Sequence, residues 1–229
     1  MNKPKRTLNV FALLFGAFLT STVSAQLVVE QWNSPNDVYG GLDGSCNNVG
    51  CYGAGTGADD IIAAGPPAIS EIWNVIDFTD DPNGFAGEIP GSNPWPLAAA
   101  AGQTHPPPPG VDYRATAENN FFVARISGTI HISTADTYNF RTYGDDGLRL
   151  RVGGTDVIVD NAYHAEEQRN GSIYLEPGSY SVELVFFEGA GEASLEFTVA
   201  QGNGPYGHVG GIGGPPTDPV PGGNTVYWT

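Results

Sequence analysis

Two adjacent carboxylates, Asp145 and Asp146, lie between glycines in Thr142-Tyr143-Gly144-Asp145-Asp146-Gly147-Leu148. Paired hard oxygens of this kind suit a divalent cation such as Ca2+. Along an ordinary strand, neighbouring side chains point to opposite faces, so the pair can share one ion only where the backbone turns sharply. A cis peptide between them would bring both carboxylates to one side, at a cost of about 3–4 kcal/mol that a bound cation could offset. The same residues also suit a type I′ hairpin turn, for which Asp-Gly is a favoured sequence. Spacing alone leaves both open. Neighbouring carboxylates do not suit glycoside hydrolysis, which needs them roughly 5 Å or more apart, on either side of a substrate.

The remaining candidates point to no catalysis, and the chain is read as a non-enzyme. His105, His131, His164 and His208 have no partner at metal-ligand spacing along the sequence. His131 falls on the polar face of a strand, and His164 reads as a packing residue in a loop. There is no Gly-x-Ser-x-Gly and no Cys/His pair suited to nucleophilic attack. Asp59-Asp60 and Asp80-Asp81 read as solvated loop charge. Trp32 and Trp73 read as core, and Trp95, amid prolines, as an exposed platform for a sugar ring. Asn170-Gly171-Ser172 is a glycosylation sequon.

Residues 1–25 read as a secretory signal peptide, with Lys3, Lys5 and Arg6, an apolar run from Val10 to Leu19, and Val23-Ser24-Ala25 as the cleavage site. The apolar run is too short to span a bilayer, which needs roughly 20 residues. The expected product is secreted, extracellular or displayed at the cell surface, without membrane insertion after signal cleavage. In such a compartment Cys46 and Cys51 suggest a disulfide stapling a short Asn/Gly loop. The full chain carries a formal charge of −16. Without the signal, six arginines face 25 acidic residues and the charge is −19, with no lysine left. That excludes nucleic acid and anionic membrane surfaces as partners, because both need a positive patch.

The elements that must position these residues alternate with period two. Ile126, Gly128, Ile130 and Ile132 alternate with polar residues, as do Tyr138 and Phe140, then Leu148, Leu150 and Val152, then Leu195, Phe197 and Val199. Short alternating segments bounded by Gly, Pro or Asp predict half-buried antiparallel strands. Tyr180 to Phe187 ends apolar on both faces and reads as a central strand. Leu27 to Trp32 and Glu71 to Phe78 read as two earlier strands, and no segment beyond the signal shows a helical period. The fold class is all-β, an antiparallel β-sandwich or barrel of roughly eight to ten strands. One domain is expected over 26–200, with 33–112 a loop-rich elaboration and 119–199 its clearest part. Residues 201–229 read as a Gly/Pro-rich linker or tail whose Val226-Tyr227-Trp228 could pair with a sheet edge.

From Asn119 to Val199 the sequence resembles the protective-antigen-type (PA-fourteen) domain family, found in anthrax protective antigen and in yeast flocculin and adhesin lectins. The matching pieces are Phe122 to Gly128, Ala135 to Phe140, Asp145 to Leu150, Val157 to Asp160, Leu175 to Tyr180 and Val185 to Leu195, in the family's order and spacing. The resemblance implies a β-sandwich whose Asp-Asp pair, here Asp145 and Asp146, joins through a cis peptide and holds Ca2+. It implies that the loop Glu188 to Ala193 completes the ion's site, with Glu188 where the yeast lectins use an amide, and with the carbonyls of Ala190 and Glu192. Asp145, Asp146, Gly189 and Gly191 would face a sugar whose vicinal hydroxyls fill the ion's open positions. The implied partners are glycans or cell-surface polysaccharide. This loop has no aromatic ring to stack on a pyranose, which departs from a lectin. The alternative is a structural or assembly module of an extracellular matrix, filament or envelope layer, partnered by other extracellular proteins or by copies of itself, with calcium only stabilising loops. A third reading is an accessory domain of a carbohydrate-active enzyme.

Overall fold

Period-two alternation becomes two facing antiparallel sheets. The computed structural model describes residues 27–33, 41–44, 57–73, 75–81, 84, 86–89, 92–114, 116–209 and 227–228. The signal segment 1–25, the Cys46 and Cys51 pair and most of the tail lie outside the described residues. In chain order the elements are β1 (Leu27–Asn33), α1 (Ala58–Ala64), β2 (Ile69–Trp73), β3 (Asp77–Thr79), α2 (Pro96–Ala100), β4 (Phe122–Ile132), β5 (Asp136–Asp145), β6 (Leu148–Val152), β7 (Thr155–Asp160), β8 (Glu167–Leu175), β9 (Gly178–Glu188), β10 (Ser194–Gln201), β11 (Gly207–His208) and β12 (Tyr227–Trp228).

One sheet has the order β2-β1-β4-β9-β6-β7, with β12 on the edge of β4 beyond β1. The other runs β11-β10-β5-β8, with β3 also paired to β10. Between them lie the alternating apolar residues: Ile126, Ile130, Leu148, Leu150, Leu184 and Phe186 from the first sheet, Tyr138, Phe140, Leu195, Phe197 and Val199 from the second. Fully burying each such side chain stabilises by roughly 1.5–3 kcal/mol. Strand β9 is central, between β4 and β6. Its outer residues Val185 and Phe187 are apolar because α1, Trp32 and Leu42 cover them in a second cluster.

The first half departs from expectation. Glu71 to Phe78 is not one strand: β2 ends at Trp73 in the first sheet, and β3 starts at Asp77 in the second. The chain crosses between sheets there, and Ile76 and Phe78 enter the core. Two short helices, α1 and α2, stand where no helix is expected; seven and five residues are too few to display a period. Trp95 is no exposed platform. It is fully buried, stacked on Phe78 and Phe186 with centroids 5.0 and 4.9 Å away. Pro96 opens α2 directly behind it, a position where proline's missing N–H costs nothing. Pairing also continues past residue 200, where β11 joins β10 and Val209 is buried.

Two connections cross between the sheets at the same end. The chain passes from β5 to β6 through Asp146-Gly147, and from β9 to β10 through residues 189–193. Register places Asp145 opposite Ser194, and Leu148 opposite both Phe186 and Asp160. Strand β3 adds Thr79 opposite Ser194 on the other side of β10. The ends of six strands therefore meet at one rim.

Candidate metal centre

Asp145 is the last residue of β5, Asp146 opens the crossing to β6, and Glu188 is the last residue of β9. The peptide between Asp145 and Asp146 is cis. Carboxylate oxygens of Asp145, Asp146 and Glu188 lie within 4.8 Å of one another, and all three residues are buried. No histidine joins them. Two glycines let the loops close this tightly. A Cβ on Gly147 would lie 2.5 Å from the Asp160 carbonyl oxygen and the Phe187 ring, and one on Gly189 would lie 2.6 Å from the Tyr163 ring.

Asp146 is the fixed member. Its Oδ1 accepts from the His164 backbone N–H at 2.8 Å and its Oδ2 from the Gly189 N–H at 2.9 Å. His164 is itself pinned, with Nε2 2.8 Å from Asp160 Oδ2. The packing role expected of His164 is thus to present a backbone donor to the site. Glu188 is the opposite case: it is fully buried and neither carboxylate oxygen has a hydrogen-bond partner. The loop after it is held by Phe121 N–H donating to the Gly189 carbonyl at 2.7 Å and Gly191 N–H donating to Asn120 Oδ1 at 2.9 Å. The Ala193 carbonyl accepts from Trp95 Nε1 at 3.2 Å and Asp80 N–H at 3.1 Å. These bonds use the carbonyls of Gly189 and Ala193, not those of Ala190 and Glu192. The Glu192 side chain turns outward to Arg114 Nη1 at 2.6 Å.

Asp80 is a site residue that sequence reasoning missed. The pair Asp80-Asp81 reads as solvated, yet Asp80 is only 4% exposed. Its Oδ1 accepts from Ala193 N–H at 2.8 Å, and its Oδ2 is buried without a partner. Asp59, also read as solvated, pairs with Arg149 through two bonds of 2.8 Å.

Burial and mutual repulsion dominate the electrostatics. Burial first, then the Asp146 charge, pushes Asp145 up to about 8. Burial pushes Asp146 up to about 6, against the two backbone donors that stabilise its charged form. Glu188 is raised well above the ordinary carboxylate range, by burial and then by Asp146, Asp145 and Asp80, with the Asp146 backbone N–H, near it but outside hydrogen-bond geometry, pulling weakly the other way. Asp80 rises to about 7, again mainly by burial. Like charges this close and this dry cannot all ionise without a counter-charge.

A calcium ion fits that deficit. Two ligands on opposite sides of Ca2+, each at about 2.4 Å, stand about 4.8 Å apart, so one ion can reach all three carboxylates. The donors are all oxygen, which suits a hard cation and not zinc. Beside the cluster a cleft of about 120 Å3 is lined by Thr79, Asp81, Asp145, Glu166, Glu192 and Ser194. No helix among the described residues is long and apolar enough to cross a membrane.

Comparison with known proteins agrees with this architecture. Residues 114–205 match the PA14 domain. Among solved structures, a PA14 sugar-binding domain from an RTX adhesin is similar over 83% of this chain and 98% of its own, with 21% identity and a TM-score of 0.54. The PA14 domain of the MpAFP antifreeze protein is similar over 82% and 88%, with 16% identity and a TM-score of 0.53. The epithelial adhesin 9 A domain from Candida glabrata, solved with Galb1-4GlcNAc, covers 79% and 83% at 14% identity and a TM-score of 0.48. No curated protein matches the chain. The resemblance read from residues 119–199 is shown: residues 114–205 of this chain match the PA14 domain family, on an antiparallel two-sheet β-sandwich.

Proposed function

We propose that the protein is a secreted or cell-surface, Ca2+-dependent carbohydrate-binding module that performs no catalysis. The observation that carries this is Glu188, fully buried with both oxygens unpaired and facing Asp145 and Asp146. Asp145, Asp146 and Glu188 would hold the ion, and the carbonyls of Ala190 and Glu192 are proposed to complete its ligand set. Bound calcium would supply positively charged coordination positions for a pair of sugar hydroxyls. The chain's own part is to hold the carboxylates at the rim: His164 and Gly189 lock Asp146, and Asp80 and Trp95 anchor the loop end at Ala193. Asp145 borders the cleft, so it stands between the ion and a ligand entering from solvent. The sugar-binding RTX adhesin domain with this fold supports the reading. A single sugar on an open, solvent-facing cleft binds weakly, and useful adhesion comes from multivalency.

Calorimetry with calcium on the mature chain tests this, beside an Asp145→Asn/Asp146→Asn variant and a glycan array with and without chelator. The expected result is one Ca2+ per chain, none for the variant, and a chelator-sensitive glycan signal. Calcium binding without any glycan signal would move the assignment to a structural or assembly module. Tyr227–Trp228 lie antiparallel on the edge of β4 at Ile130 and His131 of the same chain, and the same pairing made by a second chain's tail would carry that second reading.

A further inference from the structure

Strands β3 and β5 flank β10, and Thr79 and Asp145 both pair with Ser194, one from each side. The next residue in each case is an aspartate, so Asp80 and Asp146 leave their strands at the same level of the rim. Thr79 and Asp81 line the cleft, and Asp80 between them does not. Its side chain turns inward and is buried. Asp80 and Ala193 hold each other through two bonds, Ala193 N–H to Oδ1 at 2.8 Å and Asp80 N–H to the Ala193 carbonyl at 3.1 Å. That clamp uses one carboxylate oxygen. The other, Oδ2, is buried and has no hydrogen-bond partner among the described residues. Arg114 offsets the Asp80 charge only weakly, being paired with Asp112 and Glu192. A buried carboxylate oxygen left unmatched is costly. Anchoring Ala193 does not require it, since an asparagine or serine oxygen would accept the same bond.

We infer that Asp80 is a fourth carboxylate of the cation centre, standing behind the three that would touch the ion, accepting from a water bound to it and setting the centre's preference for cation charge. The inference rests on the calcium-dependent reading above and deepens it. Asp80 is not among the three carboxylates whose oxygens lie within 4.8 Å of one another, which leaves it the ion's outer shell. Calcium takes roughly six to eight oxygens, and waters commonly complete that set. The Asp80 charge acts on both Asp145 and Glu188, so it also acts on an ion held between them. Asp145, Asp146 and Glu188, once ionised, already outweigh the charge of Ca2+, and Asp80 adds to the excess. A trivalent ion gains more from that excess than a divalent one, because Coulomb attraction scales with the ion's charge.

The test is Asp80→Asn, which keeps an oxygen for the Ala193 N–H and removes the charge. Calorimetry on the mature chain compares Ca2+ with Tb3+, in wild type and variant. Calcium should bind about tenfold more weakly to the variant, as for loss of an outer-shell partner. Terbium should lose about thirtyfold, following the ratio of the two charges. The Tm of the calcium-free variant should not fall, since the clamp on Ala193 remains. A loop anchor alone would weaken both ions by the same factor, so equal losses, or none, overturn this inference and leave the calcium reading intact. Asp80→Ser repeats the comparison and replaces the amide variant if that one does not fold. A wild type that binds neither ion overturns both this inference and the reading beneath it.

Discussion

Two buried acidic clusters lie along β10 and its neighbours, and they differ in one respect. Asp77 on β3 faces Glu196 on β10 in register, both fully buried. Ser92 Oγ donates to Asp77 Oδ1 at 2.6 Å and Ile89 N–H donates to Glu196 Oε2 at 2.7 Å. His208 on β11 brings its Nε2 to 3.4 Å from Asp77 and 3.7 Å from Glu196. Burial pulls the His208 imidazolium down, but the two carboxylates outweigh it and raise the ring to about 9. That cluster supplies its own cation. The Asp145, Asp146 and Glu188 cluster has no cation within ion-pair distance among the described residues: the His164 imidazolium, held by Asp160, pulls Asp145 and Asp146 down only in part, and the carboxylates rise. A buried acidic group with an internal counter-charge is architecture. One held only in part by such a charge is where a cation from outside is proposed to bind.

Calcium is the strongest way to break that comparison. At a hundredfold excess over Kd, an ion that binds only the folded chain stabilises it by about 2.7 kcal/mol, roughly 5–10 °C in Tm for a chain this size. Thermal scans with and without calcium should show that shift in the wild type. It should vanish in Asp145→Asn/Asp146→Asn and persist in His208→Ala. The second variant should instead lose about 2 kcal/mol with or without calcium, since removing one partner strands the buried Asp77 and Glu196 charges. Calcium dependence of the His208→Ala loss would mean that the two clusters are one system.

Glu188→Gln gives a smaller effect whose sign is informative. Without calcium it should raise stability by about 1–2 kcal/mol at neutral pH, because folding no longer has to put a proton on a buried carboxyl that is ionised in the unfolded chain. With calcium it should weaken the ion's binding. Chemical denaturation under both conditions checks it, and destabilisation of the calcium-free form would mean that Glu188 has an internal partner.

The sandwich was legible from 122 to 199 because each strand there has one dry face, so alternation is visible in the residue types. Asp145 and Asp146 were legible by adjacency. Glu188 was reached only through the resemblance, since a lone Glu after two phenylalanines looks like the end of a strand. Asp80 and Trp95 were not legible. Asp80 is buried because its N–H and Oδ1 bond Ala193, 113 residues away, and no local pattern encodes that contact. Prolines around Trp95 suggest exposure, whereas here they turn a short helix that drives the indole inward. His208 lies among glycines, and only the pairing of β11 with β10 brings it to two acids.

The pH dependence separates the clusters by window. Carboxylates raised in the folded state bind protons that the unfolded chain has released, so stability falls as pH rises from about 4 through 8. Calcium should flatten that slope. A raised histidine contributes fully below 6.5 and loses its contribution as pH rises through about 9. That decline should survive calcium and shrink in His208→Ala; the remainder belongs to His164, also raised to about 9 with Asp160 against its burial. Tm measured from pH 4 to 9.5, with and without calcium, resolves both windows. A calcium effect equally large at pH 5 and pH 8 would contradict proton release from Asp145.

The smallest effect belongs to the exposed pair at the same rim. Arg114 bonds Glu192 and Asp112, and all three side chains are at least a third open to water. Water and salt screen such pairs, so Arg114→Ala should move Tm by no more than about a degree. Its effect on the cation should be larger than its effect on the fold. Arg114 is the cation that balances Glu192, and Glu192 lines the cleft beside Asp145 and acts on its charge. Freeing that carboxylate adds negative charge near the candidate metal centre, so calcium should bind slightly tighter in low salt while the Tm of the calcium-free form stays put. Weaker calcium binding in Arg114→Ala would mean that the pair orders the loop after Glu188, and the pair would then count as architecture, like the cluster at His208.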